Sequence, residues 1–468
     1  MPTTKRGVFA NKYSLGAMVF LWLLLAINDN ARYWVTGILQ PAIIQEFNVD
    51  PATMGWFAGG LTLAQGVLAI PLGAWSDRGG HGWKRKYRYT AIVVGYTLFT
   101  LLTGMTALTS TLLMLFILQA FNKALSGAGE AVEITSITEW WPVEKRGFAT
   151  GMHHTAIPWG MFLGGLAVAG IFTIVGSENW RVTLFLPVLL VIPIIFFWWR
   201  FSTRENYAKF EESTIAAGET PPLRHSANEL KTQPGAVRRA LRNPNLVFVS
   251  LITGLNVAVY VGLSTWIPLY LTFVAHYDIA QTAALSFVFT LTGGLGQIFW
   301  GHISDRIGRK PALLVSFVWT AVGLMLLQYI GVSIVVLILV QLFLGCTING
   351  VYAVLYALTS DSCEPGALGL GLGMNMTGQL LGGIGPILVG LLIAAGGGYS
   401  SETGFVWALY AMAALILLSA LLLAVFTRET VGRYKSLDRG FFSRERCIPD
   451  SSIREKDLAV ESDLLSTP

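Results

Sequence analysis

Charge is what this sequence has least of. Only 13% of its 468 residues are Asp, Glu, Lys or Arg, where soluble domains carry about 25%. Hydrophobic residues make up 53%, so a water-soluble globular chain is excluded and a membrane is the solvent that suits it. Cysteine is nearly missing as well. Cys346, Cys363 and Cys447 are scattered without C-x-x-C spacing, which argues against a disulfide framework or a metal site. His153 and His154 are adjacent and point to different sides of a helix, so they offer no metal site; an interfacial or packing role is expected. No nucleophile–base constellation is visible, so no enzyme and no cofactor is expected. The glycine-rich stretch 366–390, with Gly382, Gly383, Gly385 and Pro386, has no following Lys-Ser/Thr. It is not a phosphate cradle, and close packing and bending of a helix is its expected role. The net charge of +5 is no nucleic-acid signal, because the basic residues cluster in short loops between apolar runs. The first apolar run, from Leu15, is longer than a signal-peptide core and lacks a small-residue cleavage site, so no cleaved leader is expected.

What the chain has in abundance is apolar runs of about 18 residues or more, the length that crosses a bilayer as a helix. Twelve are legible: 14–39, 53–75, 89–108, 111–138, 147–175, 182–200, 245–273, 279–303, 311–330, 333–358, 367–395 and 405–427. The expected fold is an all-α membrane protein with twelve transmembrane helices in two pseudo-symmetric six-helix bundles. The bundles occupy 14–200 and 245–427, between an N-terminal segment 1–13, a linker 201–244 and a tail 428–468. The linker contains Pro221-Pro222 and Pro234-Gly235 and many basic residues, and the end of the tail has a disordered composition. Lys and Arg concentrate on one side: Arg78, Lys84, Arg85, Lys86 and Arg88 after span 2, Lys145 and Arg146 after span 4, Arg306, Arg309 and Lys310 after span 8. The opposite loops hold almost none, Arg181 being the main exception. Both termini and the linker are therefore expected on the cytoplasmic side.

A repeat underlies this arrangement. Gly73-Ala-Trp-Ser-Asp77-Arg78, followed by Lys84-Arg85-Lys86, comes after span 2, and Gly301-His-Ile-Ser-Asp305-Arg306-Ile-Gly308-Arg309-Lys310 after span 8. The two copies lie about half the chain apart, which points to two like-oriented halves with a site at their interface. Such a loop can act as a charged latch that breaks and reforms as the halves rock. The plainer reading is a basic loop that only sets topology.

Within span 4, Asn122-Lys123-Ala-Leu-Ser-Gly127-Ala-Gly129-Glu130-Ala-Val-Glu133 places three ionisable groups where hydrocarbon should be. Each costs about 2.5–3.5 kcal/mol at mid-bilayer on insertion scales unless paired, hydrated or neutralised. Seven residues turn a helix by about 700°, so Lys123 and Glu130 share a face, and Glu133 follows at i+3. That face must look into protein or a water-filled cavity. A proton or substrate relay is the functional reading; an internal Lys–Glu pair that only fixes packing is the alternative.

The repeated loop resembles the G-x-L-x-D-R-x-G-R-[RK] signature of the major facilitator superfamily, with an insertion at Gly80–Trp83 in the first copy. A narrower likeness is to its anion:cation symporters. Asn28-Asp29-Asn30-Ala31-Arg32-Tyr33 is similar to their N-Y-x-D-R segment, Gly129-Glu130-Ala131 to G-x-x-E-A/G, and Trp266-Ile-Pro268-Leu-Tyr270-Leu271 to W-x-P-x-Y-L. The resemblance implies that Arg32 holds a substrate carboxylate and that Glu130 carries a coupling proton; a static ion pair of Arg32 with Asp29 or Glu130 that braces the bundle is the plainer reading. It also implies departures. The aspartate before the arginine is Ala31 here, with Asp29 three residues before Arg32 as a candidate substitute. Span 7 lacks the second arginine of the related organophosphate antiporters, and a single arginine fork favours a monoanion.

In the second half, Asn256 with Tyr260, Asn349 with Tyr352 and Tyr356, and Asn375 with Gln379 fall on shared helix faces. They either line a cavity and read substrate hydroxyls or act as interhelical glue. Together these features predict a secondary active transporter. A small organic anion, a sugar acid or another monocarboxylate, binds Arg32 and Tyr33, and protons move through Glu130, Glu133 or Asp29, with Lys123 as charge partner. The expected setting is a monomer in a cell inner membrane, with no nucleic-acid partner. A proton-coupled multidrug efflux antiporter is the main rival, although Pro158 follows Ile157 rather than the glycine of its span-5 signature. A transporter-like nutrient sensor is the second.

Overall fold

Hydrocarbon offers no partner for backbone N–H and C=O groups, so a spanning segment must satisfy them within itself, as a helix does. The computed structural model describes residues 11–78, 81–222, 235–364 and 368–431, and the side chains of residues 70, 74, 77, 236, 368 and 369 lie outside the description. Among the described residues every regular element is helical. Ten spans are long and apolar enough to cross a membrane as single helices: Lys12–Tyr33 (span 1), Leu112–Glu139 (span 4), Val143–Val175 (5), Ser177–Phe201 (6), Pro244–Phe273 (7), Ile279–Ile307 (8), Arg309–Tyr329 (9), Ile334–Asp361 (10), Leu370–Ala395 (11) and Glu402–Phe426 (12). Span 3 is Arg85–Thr103. Span 2 is split into Pro51–Ala64 and Ala69–Asp77. Pro71 has no N–H for the carbonyl of Val67, and the intervening turn closes with Val67 N to Ala64 O at 3.1 Å and Ala69 N to Gly66 O at 3.4 Å. The twelve transmembrane helices form two six-helix bundles.

Span 1 is also irregular where it matters. Regular helix gives way to a widened π turn over Leu24–Asp29 and a tight 3-10 turn over Asn30–Tyr33, and helix resumes only at Gln40–Phe47. π bulges recur at functional sites because they re-aim side chains. Span 5 packs against this stretch through Gly160, where an added Cβ would stand 2.8 Å from the Cα of Ala26. Asn30 Nδ2 donates to the carbonyl of Ala156 at 3.0 Å and fixes the crossing.

The segment joining the halves is not only a tether. Helix Arg204–Ala216, capped by Thr203, docks on the end of the first bundle. Its buried Tyr207 stacks edge-on against Trp140 at 5.0 Å and donates to the carbonyl of Glu139 at 3.1 Å. Lys145 pairs with Glu219 at 2.6 Å. This face is called the linker end below, and the opposite one the far end. Residues 223–234, with Pro234, lie outside the described residues, as do the tail beyond 431 and Pro365.

Two loops at the linker end carry the same device. In the first half Arg85 donates to Glu139 at 2.7 and 2.9 Å and to Ser76 Oγ at 3.0 Å. In the second, Arg309 reaches Asp361 at 3.2 Å, Ser304 Oγ at 2.6 Å and Asp305 at 2.6 Å. Each arginine thus ties the loop to the end of span 4 or span 10 of its own half. Gly308 sits at φ +103, where a side chain is strained, and an added Cβ would meet Glu429 Oε2 at 2.6 Å. Glu429 in turn accepts from the backbone N–H of Arg309 and of Lys310. Arg78 and Arg306 are exposed. Gly73 has open space around it and Gly301 only Ala353 at 3.9 Å. Asp77 closes its helix, but its side chain is outside the description.

Between the halves, close packing is confined to the far end and the middle. Span 2 meets span 11 through Gly55 and Gly390, where a Cβ on Gly55 would stand 2.9 Å from the Cα of Gly390. Span 5 meets span 8 at Gly165 and Ala283, and at Trp159, whose Nε1 donates to the carbonyl of Leu291 at 3.2 Å. Toward the linker end, Gly66 touches Leu380. Among the described residues, the close glycine contacts between the halves lie at the far end and the middle. Arg181, the basic residue on the far side, is buried there, with its guanidinium 2.7 Å from Glu46.

Candidate functional site

Arg32 lies at the centre of the molecule, its side chain 1% exposed. The π turn brings Asp29 under it: Arg32 Nη2 is 3.0 Å from Asp29 Oδ2, and Nη1 donates to Oδ1 at 3.2 Å. From span 4, Glu130 Oε2 accepts from Nη2 at 2.5 Å. The same nitrogen donates to the Tyr33 hydroxyl at 2.9 Å, and the guanidinium carbon lies 4.7 Å from the Tyr33 ring centroid. Asp29 is 1% exposed but Glu130 is 18% exposed, so of the two carboxylates only Glu130 meets solvent. A guanidinium holding one sealed and one accessible carboxylate can trade the accessible one for a carboxylate that arrives in solution.

Lys123 and Glu130 share a face of span 4 but not a bond. Lys123, 1% exposed, turns to span 1, where Nζ lies 4.3 Å from the Tyr33 ring centroid and 3.3 Å from Thr36 Oγ1. Glu130 pairs with Arg32, not with Lys123 as the packing alternative would have it. Glu133, one turn toward the linker end, is 1% exposed, and its Oε1 is 3.4 Å from His153 Nε2. His153 is fully buried and His154 half-buried. Nothing in the sequence pairs His153 with a carboxylate, because Glu133 belongs to another span. His154 faces the second half, its ring 6.1 Å from that of Tyr356.

The second half contributes unevenly. Tyr260 approaches span 5, its hydroxyl donating to Met161 Sδ at 3.2 Å, and its ring lies 6.3 Å from that of Tyr352. Among the described residues the Tyr352 hydroxyl is buried without a hydrogen-bond partner. Gln379 Nε2 donates to the Tyr356 hydroxyl at 2.8 Å. Asn256 is elsewhere: it donates to Ile252 O at 2.8 Å and Ser419 Oγ at 3.3 Å, bracing span 7 against span 12. Asn375 donates to Thr359 Oγ1 at 2.9 Å and braces span 11 against span 10. Trp266 is fully buried and donates to Phe405 O at 2.9 Å, a packing role. So Arg32, Tyr33, Asp29, Glu130 and Lys123 form one cluster, with Tyr260, Asn349, Tyr352, Tyr356 and Gln379 on the facing half, while Asn256 and Asn375 sit inside their own half.

The family model described as Major Facilitator Superfamily matches residues 21–288 and 276–449, nearly the whole of both halves. The chain belongs to the major facilitator superfamily. A glucose-6-phosphate exchanger of Bos taurus is 27% identical to this transporter over 401 residues, 76% of this chain and 78% of that protein. A probable sulfoacetate transporter of Cupriavidus necator is 25% identical over 412 residues, 84% and 90% of the two chains. Among solved structures, a bacterial homologue of the human lysosomal transporter Spinster, in an inward-facing conformation, superposes with a TM-score of 0.67 at 17% identity, covering 93% of this chain and 100% of that one. That likeness concerns the fold. The expectation of a membrane transporter rather than an enzyme agrees with the family.

Proposed function

We propose that this transporter moves a small organic carboxylate, such as a sugar acid, by proton symport with alternating access. The observation that carries the reading is the Arg32 cluster, a permanently charged fork buried between the halves, with Glu130 as the solvent-reached one of its two carboxylates. A substrate carboxylate takes the place of Glu130 on the fork, and Glu130, released into a low-dielectric site, takes a proton. Proton and anion thereby enter the same state of the protein, which is the requirement for symport. Tyr260, Tyr352, Asn349, Tyr356 and Gln379 offer hydroxyls and amides for the body of the substrate. The Lys and Arg of the linker-end loops support a cytoplasmic linker end and cytoplasmic termini. The site is completed within one chain, consistent with a monomer. The names of two relatives, a glucose-6-phosphate exchanger and a probable sulfoacetate transporter, support an organic anion as the substrate class.

The test is uptake of radiolabelled organic acids by purified protein in liposomes under an inward proton gradient. Wild type accumulates its acid. Arg32→Ala lowers uptake by about 100-fold, the scale of a lost charge-assisted pair. Glu130→Gln keeps exchange of substrate but loses gradient-driven accumulation. Expulsion of lipophilic cations with no acid transported would sink the reading and leave efflux in its place.

A further inference from the structure

Lys84, Arg85, Lys86 and Arg88 crowd into the start of span 3, whose first turn holds no acid. Arg85 has its carboxylate in Glu139. Among the described residues no carboxylate lies within 4.0 Å of the other three, which meet aromatic rings and carbonyls. Lys86 Nζ donates to the carbonyls of Trp199 and Ser202 at 3.2 and 2.5 Å, where span 6 ends. It lies 5.1 Å from the Trp199 ring centroid and 5.4 Å from that of Tyr87. Lys84 Nζ is 5.8 Å from the Trp83 ring, while Arg88 donates to the Trp75 carbonyl with its guanidinium 4.8 Å from the Trp75 ring. Trp199 is held in place, its Nε1 donating to Thr90 Oγ1 at 2.7 Å and the Tyr87 ring standing edge-on at 5.1 Å. Lys84 and Arg88, four residues apart, repel each other. In the second half, by contrast, Arg309 meets two carboxylates, Asp305 at 2.6 Å and Asp361 at 3.2 Å. The outer surface continues from Tyr87 and Trp199 as hydrocarbon. Val94 and Leu98 on span 3, and Ile192 and Phe196 on span 6, are all exposed. A cationic, aromatic rim above an apolar strip suits one molecule with an anionic head and acyl chains. A free phosphate would use the rim and leave the strip uncovered.

We propose that the outer face of spans 3 and 6 at the linker end binds an anionic phospholipid, its phosphate on Lys84 and Arg88 and its acyl chains on the apolar strip beneath. The site is independent of Arg32 and of the transported substrate. Lys86, buried and donated to two carbonyls, gives the site a fixed positive base, and Lys84, exposed, and Arg88, half-buried, reach the head. A net negative head answers the surplus charge, whereas a zwitterionic head brings its own cation into the cluster and is disfavoured. Trp83 comes from the insertion Gly80–Trp83 that the second loop lacks, so the site belongs to the first half.

The experiment equilibrates the full-length protein in detergent with equimolar dioleoyl phosphatidylglycerol and dioleoyl phosphatidylcholine, which share their chains and differ in head charge. Unbound lipid is removed by gel filtration and the co-eluting lipids are quantified by mass spectrometry. Wild type is expected to retain about ten-fold more phosphatidylglycerol than phosphatidylcholine. The double variant Lys84→Gln/Arg88→Gln brings the ratio to within about two-fold of unity. Arg204→Gln/Lys209→Gln removes the same net charge from the docked helix and keeps the wild-type ratio. Millimolar inorganic phosphate leaves the bound phosphatidylglycerol in place. Equal retention of the two lipids by wild type overturns the proposal without any variant having to fold. So does a preference that survives in Lys84→Gln/Arg88→Gln, or one lost equally in both double variants, which would make it an effect of net charge. Displacement by inorganic phosphate would mark a site for a soluble anion and overturn the lipid reading.

Discussion

At the residue scale, the site turns on the difference between a fork and a point charge. Arg32 uses its two terminal nitrogens on Asp29, Glu130 and Tyr33 at once, and no other cation has that geometry. Arg32→Lys keeps the charge but offers a compact ammonium with no fixed plane. It is expected to weaken substrate binding by about ten-fold, with protein yield and thermal stability close to wild type. Direct titration of the acid found in the uptake screen checks it, and unchanged affinity would show that the fork is not used. The sequence made Arg32, Glu130 and Asp29 legible because ionisable residues in apolar runs stand out against their surroundings. It allowed an ion pair of Arg32 with Asp29 or Glu130 but could not bring the side chains together. Helical periodicity put Lys123 and Glu130 on one face, yet it is silent about which neighbouring span turns toward that face. Span 1 supplies Arg32 to Glu130 and Tyr33 to Lys123 from consecutive residues. That depends on a π turn and a 3-10 turn in span 1, which no hydrophobic period encodes. His153 escaped for a similar reason, since its carboxylate partner belongs to another span.

At the element scale, the two linker-end loops show how burial changes the worth of the same bond. Arg85 and Glu139 are 2% and 8% exposed, whereas Arg309 and Asp361 are 13% and 36% exposed. Removing one partner from a buried pair leaves an uncompensated charge and costs about 3–5 kcal/mol. Across a pair open to water the loss is about 1 kcal/mol or less. Glu139→Gln is therefore expected to lower the thermal unfolding midpoint in detergent far more than Asp361→Asn. Equal shifts would mean that the first loop is as hydrated as the second. The loops and their basic residues were plain in the sequence. Their targets, at the ends of spans 4 and 10, were not, because each lies about fifty residues away along the chain. The docked helix Arg204–Ala216 was also hidden: its polar surface resembles a linker, and Tyr207, Phe210 and Thr214 are its buried residues.

At the scale of the whole molecule, the far-end contact between the halves is made of small residues. Gly390 packs on the Pro51 carbonyl and on Gly55, where even a methyl group meets the Gly55 Cα at 2.7 Å. Gly390→Ala is expected to loosen that contact and shift the population toward the state open at the far end. Gly73 faces open space at the linker end, so Gly73→Leu is tolerated as the protein stands but obstructs closure there. Cysteine accessibility at each end distinguishes them. Gly390→Ala raises labelling at the far end, while Gly73→Leu retains substrate binding and loses transport. Identical labelling in both variants and wild type would mean that these glycines do not govern the exchange of states. The twelve spans and the division into halves were legible from composition alone, since hydrocarbon imposes length and apolarity on every crossing. The state of the molecule was not, because it depends on helix packing that differs by little between alternatives.

The Ser–Arg–carboxylate arrangement appears once in each half, as Ser76–Arg85–Glu139 and as Ser304–Arg309–Asp361. Two copies of one constellation, in the same order along the chain, are most simply inherited from one ancestral six-span unit that was duplicated and fused. The extra residues of the first loop then count as a later arrival, one that lengthened the turn and left the arginine where its ancestor had been.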